Sequence, residues 1–260
     1  IAPTRPKDRD LMIRTLQTVE GMSLEALRTG LGNAWSFETF PQYLDVIEAR
    51  GTAINVGVLI GHTPTRLYVM GEDASERQAR PDEIEAMRRI VSEALDAGAL
   101  GFATSMSENH VGHDGRPVPS YIASVDEIYA LASPLKDAGR GLTQITAGKR
   151  FFVEEFGELA RRTGRPVTWT SLLTKLRIAG RDPMSVLRDC QALCEQGVNV
   201  ISQVTPRPFM IDFSFMAPSL AVASLPTYRP AMTQDREGRK RLFRDAALRA
   251  ASKEEAAATG

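Results

Sequence analysis

Histidine and cysteine are scarce in this sequence, and their scarcity narrows its chemistry. There are three histidines and two cysteines in 260 residues. Cys190 and Cys194 lie four apart on a predicted helix and face one side, so they read as reduced core residues. A Cys-Cys metal pair would need histidines nearby. Net charge is absent too. Lysine plus arginine and aspartate plus glutamate number 32 each, so no global field favours nucleic acid or an anionic membrane surface. No apolar run is long enough to span a bilayer, no signal peptide is visible, and a cytoplasmic location is expected. No glycine-rich phosphate-binding signature occurs: Ile60-Gly-His-Thr-Pro lacks the dinucleotide-binding spacing, and no P-loop run is found. The chain opens on Ile1 rather than methionine, and its first residues read as internal, so an internal fragment of a longer protein is expected.

What is present is an ordinary globular composition, 43% hydrophobic and 25% charged, arranged as a helical lead-in followed by strand and helix in alternation. Apolar spacing predicts helices over Asp8–Glu20, Ser23–Leu27 and Thr39–Arg50. Strands are expected at Ala53–Ile60, Ala99–Thr104, Leu142–Thr146, Val167–Leu172 and Val198–Val204. Helices are expected between them at Asp82–Ala97, Val125–Ala138, Phe151–Thr163 and Pro183–Gln196. The caps Ser124 and Asp182 and the stops Gly98, Gly139, Gly164 and Gly197 punctuate this series. Phe209–Tyr228 is irregular and apolar, and Asp235–Ala258 reads as a charged, alanine-rich helix.

Alternation of this kind implies a parallel α/β sheet with right-handed crossovers. A doubly wound nucleotide-binding sheet would want the missing glycine turn. The expectation is therefore part of a TIM (β/α)8-type barrel, about five strand–helix units over residues 1–208, with residues 209–260 as an appendage. In such folds the loops after the strands build the sites. The long loop Met106–Ser120 after the second strand carries His110 and His113, and it is the first functional candidate by position.

The stretch Asn55-Val-Gly-Val-Leu-Ile-Gly-His-Thr-Pro-Thr-Arg-Leu-Tyr-Val-Met-Gly71 resembles a block of the amidohydrolase family that contains the N-acyl-D-amino-acid deacylases. The run ending Ala-Leu-Asp-Ala-Gly-Ala-Leu-Gly-Phe-Ala-Thr-Ser105 looks like the next block, as does Pro119-Ser-Tyr-Ile-Ala-Ser-Val-Asp-Glu-Ile-Tyr-Ala-Leu-Ala132. The three stand in register, and the resemblance covers roughly Ile1 to Pro208. It implies a metal-dependent hydrolase of amide C–N bonds, acting on an N-acyl-D-amino acid or similar small molecule. Zinc or another divalent metal would be the cofactor of the full-length protein. Its His-x-His pair and its cysteine ligand would lie upstream of Ile1, and its catalytic aspartate beyond Gly260. Two departures stand out: Thr146 and Ser171 occupy positions where the family places ligand histidines, and neither hydroxyl replaces imidazole on zinc. The fragment alone is thus expected to bind zinc poorly and to be inactive. A non-catalytic ligand-binding or scaffold module is the alternative.

Within the chain, His62, Arg66, His110 and His113 are the candidate substrate contacts, and no metal ligand is assigned. His62 ends a strand, where it could touch a site or tie down the next loop. Arg66 could clamp a carboxylate through its planar fork or bridge to the Glu72/Asp73 turn. His110 and His113 could ligate a metal, contact substrate or order their loop. Lys149 and Arg150 follow the third strand and read as solvated. Trp169 reads as packing between sheet and helix.

Overall fold

The computed structural model describes residues 1–20, 22–31, 35–112, 116–173, 177–208, 210, 226–232 and 234–259. Its centre is one five-stranded sheet: β1 (Leu59–Gly61), β2 (Gly101–Ser105), β3 (Leu142–Thr146), β4 (Val167–Thr170) and β5 (Val200–Ser202). Every pairing is parallel, and the spatial order β1-β2-β3-β4-β5 follows the chain. A doubly wound sheet reverses direction at a switch point. Unbroken sequential order is the arc of a (β/α) barrel, as the alternation implied.

Local chemistry accounts for the helices. Thr39 and Gln42 form a reciprocal capping box at the start of α3 (Phe40–Arg50), which satisfies two otherwise orphaned N–H groups. Before it come α1 (Arg9–Glu20) and α2 (Leu24–Leu31). Pro81 opens α5 (Pro81–Asp96), where its missing N–H costs nothing. After the short α6 (Pro119–Ile122), Ser124 accepts from the Glu127 N–H to cap α7 (Val125–Ala132), and Asp182 accepts from the Ser185 N–H to cap α10 (Pro183–Glu195). Gly139 and Gly164 sit in left-handed conformations at the ends of α8 (Pro134–Ala138) and α9 (Val153–Thr163). The expected helix Val125–Ala138 is thus two, because Pro134 restarts the ladder.

Three expectations are corrected. Ala53–Ile60 is not a buried strand: only its last residues enter β1, and Ile54 and Val56 are exposed. Among the described residues β1 pairs with β2 alone, from Leu59 onward, and Ala53–Gly57 precede that ladder. His62, expected to end a strand, instead opens α4 (His62–Met70), with Pro64 in its first turn. The tail is broken at Asp245 into the helices Arg236–Arg244 and Ala246–Thr259. Most of Phe209–Tyr228 lies outside the described residues.

The two faces of the sheet differ in kind. Ile60, Phe102, Ile145, Val167, Trp169 and Val200 point to the helices and are buried. There Trp169 packs on Phe152 and Phe156, with ring centroids 5.7 and 6.2 Å away. The alternate residues Gln144, Thr168 and Thr170 face the concave side, as period-2 geometry dictates. Gln144 Nε2 donates to Thr170 Oγ1 at 3.4 Å, Thr170 Oγ1 donates to Gln203 Oε1 at 2.8 Å, and Gln203 Nε2 donates to Thr168 Oγ1 at 3.3 Å. Branched aliphatic layers usually fill a barrel interior. This arc carries hydroxyls and amides there, with Leu142 and Ile201 as aliphatic neighbours on the same face by register.

Of the two cysteines, Cys190 is buried and Cys194 exposed, and both are free thiols. Among the described residues no helix is long and apolar enough to cross a membrane.

Candidate functional site at the strand ends

A cavity of about 250 Å³ opens where β1, β2 and β3 end. Gly61, His62, Thr63 and Pro64 line it from the β1–α4 junction, and Ala103, Thr104 and Ser105 from β2. Gln144 and Thr146 come from β3, and His110, Val118 and Ser120 from the loop after β2. On its other side α1 contributes Met12, Thr15, Leu16 and Val19. This is the C-terminal end of the strands, where parallel α/β folds carry their sites.

The loop Met106–Ser120 is tied back to the strands. Ser120 Oγ donates to the Ser105 carbonyl at 2.9 Å, and Thr63 Oγ1 donates to Ser120 Oγ at 3.2 Å. His110 Nδ1 lies 2.7 Å from Ser105 Oγ. Burial depresses the His110 pKa, so the ring is held neutral. His113 lies outside the described residues. Nearby, Lys149 pairs with Glu108 at 3.3 Å on the surface, and Arg150 stacks over Tyr121 at 4.5 Å.

His62 meets the cavity wall but spends both nitrogens on the protein. Nδ1 is 2.8 Å from Thr104 Oγ1, and Nε2 is 2.8 Å from Glu127 Oε1. Arg66 is absent from the cavity. Its Nη1 donates to both oxygens of Glu127, the first at 2.6 Å, and its Nη2 donates to the carbonyls of Ala74 and Arg77 at 3.1 and 2.8 Å. It does clamp a carboxylate, but an internal one, and it bonds carbonyls next to the Glu72/Asp73 turn rather than the carboxylates there. The three side chains are fully buried. Desolvation raises the Glu127 pKa, and the hydrogen bonds from His62 and Arg66 outweigh it, so the carboxylate sits below its ordinary range. Desolvation lowers the His62 pKa. The network is therefore a neutral imidazole beside a charge-compensated Arg–Glu pair, and it joins α4 to α7 and β2.

A pH dependence follows. His62 is held below its ordinary 6.5. As pH falls past that value, the unfolded chain takes up a proton that the folded one refuses, so stability drops. Glu127, held below its usual 4.5, adds a loss in the same direction at lower pH. We expect Tm to fall between pH 7.5 and 5.5, and to fall less in His62→Gln, whose amide does not titrate. Equal slopes in both proteins, read by calorimetry, would assign the drop to other groups.

The residues at the strand ends do not fit zinc. Among the described residues no three histidine, cysteine, aspartate or glutamate side chains converge as a metal would require. Ser105, Gln144 and Thr146 offer hydroxyl and amide oxygens, whereas zinc takes imidazole, thiolate and carboxylate.

Known proteins resembling this chain have the same architecture. D-aminoacylase of Alcaligenes xylosoxydans xylosoxydans is 32% identical over 108 residues, which are 42% of this chain and 20% of that protein. N-acyl-D-glutamate deacylase of the same organism is 38% identical over 77 residues, 30% of this chain and 15% of that one. The crystal structure of N-acyl-D-glutamate deacylase from Bordetella bronchiseptica, complexed with zinc and a phosphonate inhibitor, superposes with a TM-score of 0.54. That match has 25% identity and covers 78% of this chain and 45% of that one. No protein-family model matches the chain. The relatives and structural neighbours, over part of this chain, are thus D-aminoacylase and the N-acyl-D-glutamate and N-acyl-D-aspartate deacylases, of the amidohydrolase family. The chain spans about a fifth of the length of the D-aminoacylase it matches.

Glu127, Thr104, Ser105, Ser120 and Gln144 were not legible as site residues. Ser105, just after the expected strand Ala99–Thr104, and Ser120, at the end of the long loop, carried a signal by position only.

Proposed function

We propose that this chain is part of a hydrolase that cleaves the amide C–N bond of an N-acyl-D-amino acid or a similar small amide. The observation that carries the reading is its likeness to D-aminoacylase and N-acyl-D-glutamate deacylase, together with a cavity at the ends of the strands. For the complete protein that likeness brings zinc or another divalent metal as cofactor. The described residues around this cavity supply no ligand set for it, and no bond-breaking group is assigned among them. Their part is to bind. His110 is the substrate contact we favour; His113 stays a candidate by its place in the same loop. His62 and Arg66 support the wall through Glu127. A cytoplasmic setting accords with two free thiols.

A second reading is supported by one observation, the hydroxyls of Thr146 and Ser171 at positions where the resemblance implies histidines. It is a non-catalytic ligand-binding or scaffold module. The test is amine release by the complete protein from N-acetyl-D-amino acids and their L-enantiomers, with and without added zinc. Release from the D-series alone is the expected result. Ligand binding without any release would favour the second reading.

A further inference from the structure

The cavity has one face of apolar side chains, one of neutral polar groups, and no charged side chain. Met12, Leu16 and Val19 line it from α1, and Val118 and Pro64 extend that wall. Opposite stand Ser105, Gln144, Thr146 and Ser120. None of the described residues lining it is aspartate, glutamate, lysine or arginine. At about 250 Å³ it falls below the roughly 300–1,000 Å³ of sites that take a whole drug-sized ligand. It suits an uncharged part of one.

Among the described residues, His110 supplies the one imidazole not already committed to the wall. The direction of its bond to Ser105 follows from the hydroxyl's own accounting. The Ser107 N–H donates to Ser105 Oγ at 3.4 Å, which uses acceptor capacity and leaves the hydroxyl proton. Among the described residues the only acceptor near that proton is His110 Nδ1, at 2.7 Å. Were Nδ1 the donor, the hydroxyl proton would have no partner. Donation from Ser105 to Nδ1 is the arrangement that gives the hydroxyl proton a partner within the protein, and we assign the ring's own proton to Nε2 on that ground. That nitrogen has no partner among the described residues, and the residue lines the cavity.

We propose that this cavity is an acyl subsite. His110 Nε2–H donates to the carbonyl oxygen of the acyl group, and the acyl chain lies against Met12, Leu16 and Val19. The inference rests on the amide-hydrolase reading and adds which part of the substrate is held here and by what. Ser105 is a positioning residue that acts by fixing the ring's tautomer. A neutral donor suits an uncharged carbonyl; no side chain of the described lining offers a cation to an anionic headgroup, and burial lowers the pKa of the terminal amine of Ile1, which also lines the cavity, to about 6.

The test uses hexanamide, hexylamine and acetamide as probes, with the full-length chain labelled with nitrogen-15 at histidine. The His110 ring is identified by the signal lost in His110→Asn. We expect a ring protonated at Nε2 that shifts with hexanamide and not with hexylamine. Ser105→Ala should alter the tautomer signature while Tm holds. His110→Ala should weaken hexanamide binding roughly threefold to tenfold, the scale of one neutral hydrogen bond. Leu16→Trp, which narrows the apolar end, should reject hexanamide and spare acetamide. A ring protonated at Nδ1, equal binding of amide and amine, or an unchanged preference in Leu16→Trp would overturn the proposal. Binding of this kind without any amide turnover would sink the hydrolase reading alone. Turnover whose acyl preference ignores both His110→Ala and Leu16→Trp would sink the subsite alone.

Discussion

Glu127→Ala should be among the most damaging single substitutions in the chain, lowering stability by about 3–5 kcal/mol. At the size of this chain each kcal/mol corresponds to roughly 2–4 °C, so a Tm loss on the order of 10 °C is expected. The reason is electrostatic rather than steric. Arg66 is fully buried, and among the described residues Glu127 is its one carboxylate partner. Without it, a guanidinium stays in a dry interior with only the carbonyls of Ala74 and Arg77 to face. His62 loses the acceptor for its Nε2–H as well. The double variant Arg66→Met with Glu127→Gln discriminates this account from loss of packing. It removes the cation, and it returns to His62 an amide oxygen that can accept. It should therefore be more stable than Glu127→Ala, as replacements of whole buried ion pairs often are. A Glu127→Ala protein that melts within 2 °C or so of the parent would refute the account.

Gly101→Ala should cost about 3 kcal/mol or more by a different route. A Cβ at this position would sit 1.9 Å from the Leu142 carbonyl oxygen, and its φ of 150° is open only to glycine. Gly101 is also where β2 enters register with β3, opposite Leu142. The clash is backbone on side chain at the root of the strand that ends in Ser105, so it cannot be relieved by a rotamer change. Gly139→Ala is the control. Its φ of 60° is also positive, but a Cβ there meets nothing within 4 Å, and about 1 kcal/mol is expected. Equal Tm losses for the two variants would mean that conformational strain, not the close approach of β3, governs Gly101.

Much of the fold was legible because it is written in local chemistry. The capping residues Thr39, Ser124 and Asp182 and the glycine stops mark element ends without reference to the rest of the chain. The sequential arc followed from alternation and from the missing glycine turn. The failures share a cause. His62 read as a strand end because an apolar run leads into it, yet it opens α4, where the absent N–H of Pro64 in the first turn has no acceptor to miss. Ala53–Gly57 read as buried because its residues are apolar, but burial depends on a neighbouring strand, which composition does not report. Glu127 sits in the first turn of α7 behind its serine cap, where a carboxylate is ordinary. Its partners lie 61 and 65 residues away, and no local pattern announces such a pairing. Arg66 was singled out as a carboxylate clamp, and in the structure the carboxylate it meets is that of Glu127. Its Nη1 alone reaches both oxygens of Glu127 inside the protein, and its Nη2 turns to backbone carbonyls.

The polar concave face bears on how this architecture can change. The residues that hold the fold point outward to the helices, while Gln144, Thr168 and Thr170 point inward and contact mainly one another and Gln203. A mutation at one of these positions disturbs a short chain of hydroxyl and amide bonds and leaves the aromatic packing of Trp169 untouched. Successive substitutions along this surface can therefore explore new ligand chemistry, imidazole at Thr146 included, while drawing little on the stability that the outer face supplies. For laboratory evolution, the strand-end hydroxyls are the positions to randomise first.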